Sequence, residues 1–127
     1  THANQIPVQT PLLDDLSAGI GDFFADLKEH DAADNVLMLV FTEFGRRVKD
    51  NGSGSDHGSG GASYVIGQPV NGGMHGQYPS LREEDQLDGD LRFQVDFRSV
   101  YATIVEKWLG LDAKSIIGGN YEHLDFV

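Results

Sequence analysis

The sequence predicts an α/β fold, a sheet flanked by helices. Two observations carry this. Leu12, Leu13, Leu16, Ile20, Phe23, Phe24 and Leu27 recur at helical spacing and form one apolar stripe. A short continuous apolar run, Val36-Leu37-Met38-Leu39-Val40-Phe41, follows. Such a run marks a strand buried on both faces, as in a parallel sheet. Helix followed by buried strand is the unit from which α/β layers are built.

Taken in order, residues 1 to 9 read as extended or irregular. Thr10-Pro11 then starts the first helix, with Thr10 as N-cap and Pro11 at the first helical position. Asp14 and Asp15 favour its positive end, and it ends near Glu29-His30. After the apolar strand, residues 49 to 61 are dense in Gly, Ser, Asp and Asn and read as a flexible loop. Residues 62 to 66 form a second short strand. A glycine-rich loop spans 67 to 79, and 81 to 90 is polar. Leu91, Phe93 and Val95 alternate with Arg92 and Gln94, a brief strand or extended entry. Asp96 caps a second helix whose apolar face is Val100, Tyr101, Ile104, Val105, Trp108 and Leu109, with Gly110 as its stop. Asp112 caps a last short helix, stopped by Gly118-Gly119.

At 127 residues the chain is expected to form a single domain over 1–127. A hydrophobic fraction of 39% suits a folded protein rather than a disordered tail. The net charge of -11 repels phosphate backbones and disfavours nucleic acid as a partner. With no cysteine, disulfides, zinc-thiolate sites and cysteine nucleophiles are excluded within the chain. No apolar run is long enough for a transmembrane segment. Thr1-His2-Ala3-Asn4-Gln5 is no signal peptide and reads as a cut inside a longer protein or a processed end.

Five residues are candidate metal ligands. Glu43 directly follows the apolar strand, and ligands in open α/β sheets bind beyond the carboxyl ends of strands. On position alone, an exposed loop glutamate explains it slightly better. Asp56-His57 in the glycine-rich loop offers an oxygen and a nitrogen, which suits zinc, manganese or iron more than magnesium. An isolated pair of this kind is more often a surface turn. The loop is a poor calcium site, because Gly52, Gly54 and Gly61 stand where acidic ligands belong. His2 and His75 are ligands only in company; singly, each reads as a surface histidine. Arg46 and Arg47 suit an anionic group or structural pairing with the many carboxylates.

Three segments together carry a resemblance. Val40-Phe41-Thr42-Glu43-Phe44-Gly45-Arg46-Arg47, Asn51-Gly52-Ser53-Gly54-Ser55-Asp56-His57-Gly58, and Val95 to Thr103 running on to Trp108-Leu109-Gly110 occur in this order. Thr1-His2-Ala3-Asn4-Gln5 resembles the remainder of an Asp-Thr-His-x-x-Gln motif. The set resembles the bacterial domain of unknown function 1501 family, which is sulfatase-like and similar to the alkaline phosphatase superfamily.

That resemblance implies the C-terminal portion of a three-layer alkaline phosphatase-like fold, with metal ligands at strand ends. It implies a metal-dependent hydrolase of phosphate or sulfate esters, inactive as this piece alone because the superfamily's nucleophile and early ligands lie upstream. His2 becomes a metal ligand. Asp56 and His57 match the superfamily's Asp-His ligands; on a competing alignment Glu43 takes the strand-end acidic position. His75 is a looser match, and Arg46 neutralises charge developing on the ester. Zinc or manganese is the expected cofactor, with calcium or magnesium behind them. A periplasmic or secreted location and a small anionic ester substrate are implied too. The rival reading is a non-catalytic metal-binding or structural module at the cell envelope. A cut sheet should also leave an open edge through which the chain self-associates.

Overall fold

A 25-residue helix, α1 (Gln5–Glu29), opens the computed structural model, which describes residues 1–127. The expected start at Thr10 is corrected: Pro11 lies inside the helix. Thr10 does not cap but donates its hydroxyl to the Ile6 carbonyl at 2.9 Å. Pro7 sits in the first turn, where an N–H has no intrahelical partner in any case. The cap comes from elsewhere in the chain. Asn4 N–H donates to Ser53 Oγ at 2.8 Å and Gln5 N–H to the Ser53 carbonyl at 3.1 Å. Two orphan donors at the helix start are thereby satisfied. The helix ends at Glu29, as expected, and His30 N–H still bonds the Asp26 carbonyl.

The chain divides into two compact units, residues 1–68 with 80–92, and residues 69–79 with 93–127. The first unit holds α1 and four strands. These are β1 (Met38–Val40), β2 (Gly45–Asp50), β3 (Ser55–Gly58) and β4 (Tyr64–Ile66). They form two antiparallel two-stranded sheets, β1 with β4 and β2 with β3. The class is mixed α/β, as expected, but the parallel pairing expected of β1 is corrected. Met38 faces Ile66, Leu39 faces Val65 and Val40 faces Tyr64 in antiparallel register. β1 is half-buried throughout rather than buried on both faces. Only one of its edges is paired, and an open cleft lined by Leu16, Gly19 and Ile20 of α1 adjoins it. No residue of α1 is fully buried, and Leu12 and Leu13 are 58% and 54% exposed.

The expected flexible loop at 49 to 61 is corrected as well, because β2 and β3 form a hairpin across it. Arg46 faces His57 and Asp50 faces Ser55, with an irregularity between. The turn is Asn51-Gly52-Ser53-Gly54, with Gly52 at φ +98°, a backbone that glycine adopts freely. Asn51 N–H donates to the Gly54 carbonyl at 2.9 Å, and Asp50 Oδ1 accepts from Gly52 N–H at 2.7 Å. Close backbone passage fixes other glycines: a Cβ on Gly45 would fall 1.6 Å from the Gly60 carbonyl oxygen. Arg47 ties the hairpin to residues 87–90, bonding the Asp88 carbonyl and lying 3.3 Å from Asp90 Oδ1. That Asp90 oxygen is buried, and the contact misses hydrogen-bond geometry. Leu91 to Val95 forms no ladder, and Gln94 and Val95 bend before α2, so no strand forms there.

In the second unit, α2 (Phe97–Thr103) begins as expected: Asp96 Oδ1 accepts from Arg98 N–H at 2.9 Å. The helix continues as a π-helical turn over Ile104–Trp108 and stops before Gly110 at φ +66°. Asp112 caps α3 (Ala113–Ile117), which Gly118 ends at φ +77°. The core here is Val100, Ala102, Ala113 and Phe126, with Thr103 wholly buried. Thr103 Oγ1 donates to the Ser99 carbonyl at 2.7 Å and accepts from Leu124 N–H at 2.9 Å, docking the C-terminal segment on α2. His123 Nε2 lies 2.7 Å from Glu106 Oε2, a second tie between the two.

Candidate metal centre

The β2–β3 hairpin positions the candidate site, and α1 brings His2 to it. The anchoring of Asn4 and Gln5 on Ser53 leaves the residues before α1 lying along the turn. Ser55 Oγ adds a bond to Gln5 Oε1 at 2.8 Å. Gly54 permits the approach, since a Cβ there would fall 2.5 Å from the Thr1 carbonyl oxygen. His2 Nδ1 thus reaches 3.3 Å from Asp56 Oδ1.

His57 completes the group. Its ring centroid lies 4.6 Å from that of His2, and it stacks on Phe44 at 3.5 Å and 17°. Phe44 and His57 meet because Gly45 pairs with Gly58 in the hairpin register. Arg46 stands over the Phe44 ring, its guanidinium carbon 5.6 Å from the ring centroid, and donates from Nη1 to the Ser55 carbonyl at 2.7 Å. Glu43 is exposed in the segment between β1 and β2, without a hydrogen bond or ion pair, and only its field reaches His57.

The electrostatics follow from these neighbours. The Asn51 amide bonded to Asp56 holds its carboxyl below the usual carboxylate range; partial desolvation opposes this, and the His2 bond and charge add to it. Desolvation holds His57 below the ordinary imidazole value, helped by the charges of His2 and Arg46 and opposed by Glu43. A neutral imidazole and an ionised carboxylate are the forms a metal ion binds.

Of the sequence-predicted ligands, the structure brings His2 to Asp56 and, separately, to His57, while Asp56 and His57 follow one another along β3, where successive side chains face opposite sides. Glu43 stands near enough to act on His57 through space. His75 belongs to the other unit, where its Nε2 lies 3.0 Å from the Asn71 carbonyl and its ring meets the edge of Phe126. Two imidazoles and a carboxylate suit zinc or manganese in donor type. Their positions fit in part: no three histidine, aspartate or glutamate side chains are placed to hold one ion. His2, Asp56 and His57 are adjacent donors rather than a closed shell.

Sequence reasoning missed Phe44 as a platform, Ser53 as a cap and Asn51 as a hub. The signal for the last two was the Asn51-Gly52 dipeptide, a strong mark of a hairpin turn.

A family profile described as "Protein of unknown function (DUF1501)" matches residues 1–123. No curated protein matches the chain, and no solved structure does.

Proposed function

The chain belongs to the DUF1501 family, and from that premise we propose that it is the C-terminal part of a metal-dependent, sulfatase-like hydrolase of phosphate or sulfate esters. The observation that carries the reading is the approach of His2 to Asp56 and to His57 at the β2–β3 hairpin. Their order and residue types match the alkaline phosphatase-like resemblance, and they share one place in the fold. On this reading the site needs further ligands and a nucleophile beyond His2, Asp56 and His57, and these residues alone do not turn over an ester. Export to the periplasm or beyond is part of the same proposal.

A bound zinc or manganese would supply Lewis acidity toward an ester oxygen and a lowered pKa for a nucleophile. The chain's own residues do the rest. The Asp56 carboxylate, 3.3 Å from His2 Nδ1, would orient the imidazole so that Nε2 faces an ion. Phe44 fixes the plane of His57 by stacking. Arg46, anchored on Ser55, places a permanent positive charge beside the site, where an anionic ester gains from it.

Equilibrium dialysis against Zn²⁺ and Mn²⁺, followed by elemental analysis, tests the site. Stoichiometric uptake that Asp56→Ala removes is the expected result; no uptake sinks the metal reading. In a longer family member with these motifs, the change equivalent to His57→Ala should abolish cleavage of p-nitrophenyl phosphate or sulfate. One observation favours the rival, a non-catalytic envelope module: no three donors face a single point. Uptake of metal with full-length turnover untouched by the histidine change would select it.

A further inference from the structure

We propose that Asn51 is the positioning residue of this site: its side-chain amide fixes His2 against Asp56. The consequence for metal binding rests on the proposed function; the placement itself does not.

An asparagine side chain offers two N–H donors and an oxygen with two lone pairs. All are engaged at Asn51, in two separable halves. The donor half joins the two ligands, since Nδ2 donates to the His2 carbonyl and to Asp56 Oδ1, each at 2.9 Å. The acceptor half builds the turn, since Oδ1 accepts from Ser53 N–H at 3.1 Å and Gly54 N–H at 2.9 Å. Ser53 and Ser55 also hold the N-terminal segment, but they grip Asn4 and Gln5 at the helix start. Asn51 alone among the turn residues bonds His2 itself.

The two halves make a clean test. Asn51→Asp keeps an oxygen for Ser53 and Gly54 but removes both donors and sets a second carboxylate beside Asp56. In NMR spectra of the unsubstituted chain, a ring-to-ring cross-peak between His2 and His57 is expected. Asn51→Asp should lose it while the Ser53 and Gly54 amides keep their exchange protection. Ser55→Ala, which removes only the tether to Gln5, should retain it. A cross-peak that survives Asn51→Asp overturns the proposal, as does one lost equally in Ser55→Ala. Loss of the cross-peak together with Ser53 and Gly54 protection assigns Asn51 to the turn alone and overturns it too. Should the aspartate variant fail to fold, the unsubstituted chain decides. Asn51 side-chain amide protons exchanging more slowly than those of exposed Asn120 support the assignment, and equal rates reject it. A Zn²⁺ titration reads the consequence: Asn51→Ala should weaken binding about 10- to 100-fold. If the unsubstituted chain takes up no Zn²⁺, the metal reading fails, and the placement of His2 is still judged by the NMR arms.

Discussion

His2 Nδ1 and Asp56 Oδ1 stand 3.3 Å apart, so the segment before α1 closes onto the β2–β3 hairpin. Their side chains are 55% and 54% exposed. A polar contact so open to water contributes little to stability. Asp56→Ala should therefore leave the urea unfolding midpoint nearly unchanged while removing zinc uptake. A large stability loss would mark the carboxylate as structural.

His57 should titrate below the 6.5 of a free imidazole. Glu43→Gln removes the one charge that raises it and should push the midpoint lower. Arg46→Gln removes a charge that lowers it and should push the midpoint up. The ring proton shifts followed against pH read both. The linkage sign is fixed by the depressed folded value: the unfolded state binds the proton first. The contribution of His57 to stability is present above pH 6.5 and is lost as pH falls through the folded value.

Asp96 gives a second, more acidic window. The Arg98 side chain, then its backbone N–H, hold the Asp96 carboxyl near 2, down from 3.8. The depression means that its contribution to stability is whole above pH 3.8 and is lost as pH falls toward 2. Asp96→Asn keeps an N-cap acceptor without the titration. Thermal melts of this variant should show a shallower fall across that window than the unsubstituted chain.

Thr103→Val should destabilise the second unit through one buried hydroxyl. Its loss leaves Leu124 N–H without an acceptor, which costs about 1–3 kcal/mol. Urea unfolding monitored by Trp108 fluorescence measures this, and faster amide exchange at Leu124 locates it.

The open edge of β1 and the apolar face of α1 predict self-association. Light scattering should show mass rising with concentration. Leu16→Glu, placed where the side chain is 47% exposed, should reduce that rise without loss of helix. A clean monomer at every concentration would reject this reading.

The sequence disclosed the features that rest on local chemistry. Asp96 and Asp112 act as caps where expected, and Gly110 and Gly118 stop their helices with positive φ. These depend on one or two neighbouring residues. The start of α1 was hidden because Ser53, far along the chain, supplies its cap. Pattern rules looked for a cap nearby and found Thr10. The pairing of β1 was equally non-local, since an apolar run does not say which edge meets β4 or in which direction. The hairpin was masked by its composition: glycine and serine suggested looseness, while Asn51-Gly52 specified a turn. At the site, Asp56-His57 and His2 were legible as residue types, but the Asn51 bridge between them was not.

The hairpin turn also sets a limit on insertions. Ser53 caps α1 while Asn51 holds His2, so a helix start and a candidate ligand share four consecutive residues. One residue added between Asn51 and Ser53 would displace the serine by up to about 3.8 Å relative to the asparagine. The two grips would then disagree about where the N-terminal segment lies. Related chains that keep both grips should vary in composition here far more readily than in length.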